Sequence, residues 1–266
     1  MGHLMNKEGN ILIIVEGEKT EPAFFKRLAT MFDLKFEIYC FKTNIYSLYN
    51  KMKKYDFSAD IKDILKEEHK DNVDILDKKF AYTYLVFDCD AHHSTENENR
   101  ELKDVISDNF SILKEMMNRF VDETDPTIGK LYINFPMMES YRDCDGFFDP
   151  NYENREVLIS HFKKYKQNVG KRELSNFRID KYERKHFESL MLQNLFKWNK
   201  ICFNLWQKPS GKDFFDKENK FLLLDKQKEK SLNSNSVFVI NTSLFLIVDF
   251  YGNRNNFYDS LTTESK

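Results

Sequence analysis

Ile11-Leu-Ile-Ile-Val-Glu-Gly17 is the stretch that decides the fold. Residues 11–15 are all apolar and mostly β-branched, and the run stops at an acid and a glycine. Such a run reads as a strand buried on both faces, the kind that parallel sheets use. Thr20-Glu21-Pro22 then opens a helix. Thr20 can cap it, and a proline in the first turn costs no intrahelical bond. Phe24, Phe25, Leu28 and Met31 follow at helical spacing.

Working outward, the pattern repeats. Residues 36–41 read as a second strand, and residues 44–79 as helical, acidic from Asp56 to Asp77. Residues 82–87 form a further strand ending at Asp88-Cys89-Asp90. A helical pattern over 101–120 and a strand over 131–135 follow. Strands alternating with helices predict an α/β fold, a parallel sheet flanked by helices. Beyond about residue 150 the reading is mainly helical, clearest at 184–198 and 241–250, with Asn241-Thr242-Ser243 offering a cap. The expected division is 10–150, with 44–79 as a helical insertion, and 151–266.

Composition narrows the function classes. Formal net charge is −2, which excludes a uniformly basic coat for nucleic acid but not local patches. Glycine (8) and proline (5) are too scarce for collagen or long flexible linkers, while 25 phenylalanines and 13 tyrosines can fill a large core. Cys40, Cys89, Cys144 and Cys202 are scattered without a CxxC pair, so reduced thiols in a cytoplasmic protein are expected. No apolar run reaches the roughly 18 residues of a membrane span, so no membrane partner is expected. Residues 1–4 read as an added leader ahead of a native start at Met5.

Three acidic features fall at the ends of predicted strands: Glu16-Gly17, Asp88-x-Asp90 and Glu139. Ligands of open parallel sheets bind at the carboxyl ends of the strands. In an extended segment Asp88 and Asp90 point to one side. Carboxylates gathered without arginines repel one another, and a divalent cation relieves them. Oxygen donors alone favour Mg2+ or Mn2+ over zinc.

Ile11 to Gly17 followed by Tyr84-Leu-Val-Phe-Asp-Cys-Asp90 resembles the signature of Toprim domains. Val15-Glu-Gly-Glu-Lys-Thr-Glu21 is similar to the nuclease branch: OLD-type and RloB-like proteins and the Toprim effectors of PARIS-like phage-defence systems. Ile133 to Tyr141 resembles a motif after a later strand of some members. The resemblance covers residues 10 to about 142. It implies a Toprim-like catalytic sheet and a Mg2+- or Mn2+-dependent nuclease acting on DNA or on an RNA such as tRNA. Glu16, Asp88 and Asp90 would be the catalytic and metal-binding set, extended by Glu21 and Glu139. Lys19 and Arg142 are transition-state cation candidates by proximity. The resemblance also implies abortive-infection defence and an ATPase partner subunit. The chain has no GxxxxGK[ST] loop of its own. A homodimer stays open.

Residues 163–185 hold nine basic residues against three acidic ones, with Tyr165, Phe177 and Tyr182 interleaved. Lys171, Arg172, Lys181 and Arg184 are the candidate nucleic-acid contacts there, on a track combining phosphate binding with stacking; a solvated helix pair is the competing reading. His92-His93 read as exposed loop residues beside the site, and Asp143-x-Asp145 as solvated turn acids. Two other functions compete: a catalytically silent Toprim-fold scaffold of a defence complex, and phosphoryl transfer on a small nucleotide.

Overall fold

The computed structural model describes residues 10–68, 73–93, 100–211, 214, 219, 221–252 and 256–262. The leader and start expected at residues 1–5 lie outside the described residues. Strand β1 (Ile11–Val15) is buried at all five positions. Helix α1 (Thr20–Phe32) returns the chain to β2 (Phe36–Cys40), parallel to β1. Helices α2 (Ile45–Lys54), α3 (Ile61–Glu68) and the short α4 (Val73–Leu76) carry it past β1 to β3 (Tyr82–Asp88). Helix α5 (Leu102–Arg119) leads through β4 (Val121–Asp122) to β5 (Gly129–Asn134).

The sheet order is β2-β1-β3-β5-β4, parallel except for the β4 edge. This is the expected α/β architecture of a parallel sheet flanked by helices. From β1 the chain moves first to one side and later to the other. The strand ends of β1 and β3 therefore border the switch point where open sheets bind ligands. Val15 lies in register with Val86, which sets Glu16 beside the end of β3.

The second half is mainly helical. Helix α7 (Arg184–Phe203) lies against α1, where the Phe24 and Phe187 rings meet edge-on at 5.6 Å. Its predecessor is the short α6 (Tyr165–Val169), and helices α8 (Leu222–Ser234) and α9 (Phe245–Tyr251) follow it. A small antiparallel pair, β6 (Glu156–Leu158) with β7 (Ser236–Phe238), interrupts the helices. Phe135 pairs with Ile240 beyond the end of β5, and one hydrophobic core runs from Ile11 to Leu261.

Two predicted caps form differently. Lys19 is the cap residue of α1, without a side-chain bond, because Thr20 lies inside the first turn and its hydroxyl turns to Glu139 (3.4 Å). Asn241 does not cap the turn that follows it. Its amide is used across the fold, donating to Met138 O (3.0 Å) and Ser140 Oγ (3.2 Å).

Candidate active site

Five carboxylates meet at the carboxyl ends of β1, β3 and β5. Glu16 leaves β1, and its carbonyl accepts the Lys42 N–H at 3.0 Å. Its Oε2 accepts the backbone N–H of Asp88 at 3.3 Å, bridging the two strand ends. Burial pushes Glu16 up to about 8, with the Asp90 charge adding to the rise.

Glu21 sits in the first turn of α1, only 7% exposed, and folds back so that its Oε1 accepts the Gly17 N–H at 3.1 Å. A Cβ on Gly17 would stand 2.6 Å from Glu21 Oε2, so any larger residue there would push the Glu21 carboxylate out of this place. Burial raises Glu21 as well, and Glu139 contributes.

Asp88 is 8% exposed and its Oδ1 accepts the Met138 N–H at 2.7 Å. Burial holds it well above the usual carboxylate range, with Glu16, Glu21, Glu139 and Asp90 all pushing the same way. Asp90 does not continue the extended strand, as the DxD spacing suggested. Its φ is +36°, and its carbonyl accepts the His93 N–H (2.8 Å) in a turn. Turn residues with short polar side chains tolerate that conformation. Asp90 is raised by burial, against the pull of His92, His93 and Lys166.

Glu139 lies in the single 3-10 turn Met138–Arg142 after β5 and is 2% exposed. Its Oε1 meets Lys166 Nζ at 3.2 Å, while Oε2 is buried with no hydrogen-bond partner. Asn241, Asn194 and Asn134 hold this turn. Asn241 donates to Met138 O, Asn194 Oδ1 accepts the Asn241 N–H (2.8 Å), and Asn134 Oδ1 accepts the Ser243 N–H (3.1 Å). Asn194 and Asn241, from beyond residue 150, thus help to position Glu139.

Lys166, on α6, pairs with Glu139 of the cluster and was hidden among nine basic residues in the sequence. Partial burial works against its charge, but Glu139, Asp88 and Glu21 hold it above the ordinary lysine range. Lys19 is exposed at the start of α1. Arg142 leaves the Glu139 turn with its Nε buried and unpartnered, and its guanidinium lies 5.8 Å from the Tyr141 ring centre.

The donors gathered here are all carboxylate oxygens, the kind that hard divalent cations take. Lys166 answers Glu139 Oε1, but Glu139 Oε2 has no partner and the carboxylates around it repel one another. Among the described residues, no group of three or more His, Cys, Asp or Glu side chains is placed so as to hold a metal ion. Glu16, Asp88 and Asp90 would hold a cation at the strand ends, with Glu21 and Glu139 behind them.

The histidines are not exposed loop residues. The His93 ring stacks on Tyr46 (5.1 Å between centres, 7° between planes), and His92 meets Phe162 edge-on. With Asp90, Lys163 and Lys166 they line a cleft of ≈ 310 Å³ beside the acids. Burial lowers the pKa of His92.

The basic segment is less of a track than its composition suggests. Tyr165 and Tyr182 are buried, and only Phe177 is exposed. Arg172 pairs with the buried Asp143 at 2.9 Å, and Arg184 with Glu188 at 2.8 Å. Asp143 also accepts the Tyr165 hydroxyl at 3.0 Å, so it is a packed acid rather than a solvated one. Lys171 is exposed, and so is Lys181, 4.0 Å from Asp180.

The fold and site define an α/β protein with an acidic cluster at the sheet's switch point. Residues 11–115 match the family model described as RloB-like protein, so this part of the chain is similar to RloB-like proteins. The match takes in Glu16, Glu21, Asp88 and Asp90 and stops short of Glu139 and Lys166. No curated protein and no solved structure matches the chain. Among the described residues, no helix is long and apolar enough to cross a membrane.

Proposed function

We propose that this protein is a Mg2+- or Mn2+-dependent nuclease of Toprim type, hydrolysing nucleic-acid phosphodiesters at the Glu16, Asp88 and Asp90 cluster. The observation that carries this reading is the union of two strand-end acids, half-buried Glu16 and buried Asp88, through the 3.3 Å bond from Asp88 N–H to Glu16 Oε2. Glu21, Asp90 and Glu139 extend the pair. A divalent cation bound there would polarise a phosphodiester oxygen and ease deprotonation of the attacking water.

The residues divide the remaining work. Glu16, which burial pushes up to about 8 in the metal-free chain, would be a proton donor to the leaving oxygen near neutral pH where it does not hold the cation. Lys166 offers a fixed positive charge to the phosphate as its negative charge grows. Its bond to Glu139 keeps it at the cluster instead of in bulk solvent. Arg142, from the same turn, is a further cation candidate.

Phage defence, with an ATPase subunit that restrains or activates the nuclease, is proposed on the resemblance to RloB-like proteins. The scaffold reading draws on one observation, that no group of three or more His, Cys, Asp or Glu side chains among the described residues is placed so as to hold a metal ion. Cleavage assays separate the two. The parent should cut DNA or tRNA with manganese and not with EDTA, and Glu16→Gln and Asp88→Asn should both be inactive. A parent that neither binds manganese nor cuts either substrate would leave the scaffold reading.

A further inference from the structure

Strand β5 has a short neighbour. β4 covers only its first residues, with Val121 opposite Lys130 and Asp122 opposite Gly129. Beyond them the outer edge of β5 is met from elsewhere. Leu131 gives its N–H to Phe120 O at 3.1 Å, the Thr242 hydroxyl donates to Ile133 O at 2.8 Å, and Phe135 pairs with Ile240. With these polar groups taken, the edge offers mainly side chains, and a cavity opens beside them.

The cavity measures ≈ 310 Å³. Its wall draws on Met117 of α5, Leu131 and Ile133 of β5, Trp198 of α7, Leu223 of α8 and Phe245 of α9. Water is a poor occupant of such a wall, because it needs several polar partners at once. Left unfilled, the space would forfeit contacts all round its lining. An apolar cavity of about 150 Å³ takes one benzene ring, so ≈ 310 Å³ gives room for joined rings. The rings of Phe120, Phe135, Trp198 and Phe245 in the wall suit an aromatic guest, which they can meet by edge or by face.

The charged groups at the cavity select against a charged guest. Lys130 and Asp249 both lie in the wall and are bonded to each other. Asp249 also accepts the Tyr132 hydroxyl at 2.8 Å, and Glu123 stands 3.8 Å from Lys130 Nζ. Each charge thus has its answer within the chain. An anion would meet Asp249 and Glu123. A cation would lose its hydration against apolar walls with no free acid to receive it.

We infer that this cavity is a binding site for one uncharged molecule built of joined aromatic rings. None of the five acids of the strand-end cluster is in its wall. The inference therefore stands apart from the nuclease reading.

The test uses the full chain in EDTA, with N-phenylnaphthylamine as the neutral probe and anilinonaphthalene sulfonate as its charged counterpart. The chain has 2 tryptophans, so Trp206→Phe leaves Trp198 as the sole indole. One equivalent of the neutral probe should bind, quenching Trp198 as its own emission rises. The sulfonate should bind about tenfold more weakly or worse. Leu223→Trp sets a ring into the cavity covalently and should weaken binding of the neutral probe about tenfold or more. Should that variant not fold, Met117→Phe is a smaller filling from α5 and should weaken binding about threefold or more.

A parent chain that does not bind the neutral probe, or binds it without quenching Trp198, overturns the site. Binding that is equal in the parent and the filled variant overturns it too. A sulfonate bound as tightly as the neutral probe overturns the uncharged class. Because the titrations hold no metal and involve none of the five acids, their failure leaves the nuclease reading untouched, and an inactive chain leaves the cavity untouched.

Discussion

Asp88 gives its backbone N–H to Glu16 across 72 residues of sequence, and its own carboxylate receives the N–H of Met138, 50 residues further on. Three strand ends are thus tied by one aspartate, and the acids beside it share a volume with little solvent.

Glu16 makes stability depend on pH. Its folded pKa of about 8 lies above the ordinary carboxylate value, so the folded chain binds the proton more tightly than the unfolded one. That contribution is complete below about pH 4.5 and is lost as pH rises towards 8. In EDTA the thermal midpoint should fall by at least about 3 °C across this window. Glu16→Gln should flatten the fall, and Mn2+ should restore the midpoint at pH 8 but hardly raise it at pH 5. A midpoint flat with pH in the parent would count against this.

Asp88 separates charge from hydrogen bonding. Asp88→Asn keeps an acceptor for Met138 and removes a charge from a crowded site, so the metal-free variant should melt no lower than the parent. Asp88→Ala leaves the buried Met138 N–H without a partner and should lose about 1–3 kcal/mol. Both should lack manganese-dependent cleavage. Calorimetry and a cleavage assay on the same preparations check this.

Lys166 should matter for rate more than for folding. Its side chain is 65% exposed, so solvent screens its bond to Glu139 and little stability is at stake. Lys166→Met should shift the midpoint by about 2 °C or less and lower the cleavage rate about 100-fold or more. Equal losses of rate and midpoint would mark it as structural.

The basic segment should split into two classes. Arg172→Glu opposes the buried Asp143 and should cost about 2–4 kcal/mol. Lys171→Glu and Lys181→Glu should leave stability within about 0.5 kcal/mol. If these lysines contact phosphates, the slope of binding against salt should become shallower, which titrations at several salt concentrations would measure.

The sheet was legible because Ile11–Val15 and Tyr84–Phe87 are buried on both faces and leave little choice of element. Glu16 and Asp88 were legible with it, since an acid that stops such a run falls at a strand end. The turn at Asp90 was not, because a DxD spacing carries no sign of φ. Nor was Lys166: its meaning comes from Glu139, on another element, and eight similar cations surround it in sequence. Tyr165 and Tyr182 misled for a related reason. Aromatics between lysines look like a stacking surface, yet 3-10 turns and short helices here rotate them into the core. His93 was placed beside the site, but its stack on Tyr46 required the position of α2, which no local pattern encodes.

The bond from Asn241 to Met138 spans 103 residues and runs from late in the chain to the turn that carries Glu139. During synthesis the sheet and all five acids leave the ribosome long before that anchor exists. A nascent or prematurely ended chain therefore carries Glu139 on a turn held by Asp88 but not yet by Asn241. The order of translation then acts as a safety catch, and a chain that cuts nucleic acid, as proposed, would be armed only after residue 241 had been made.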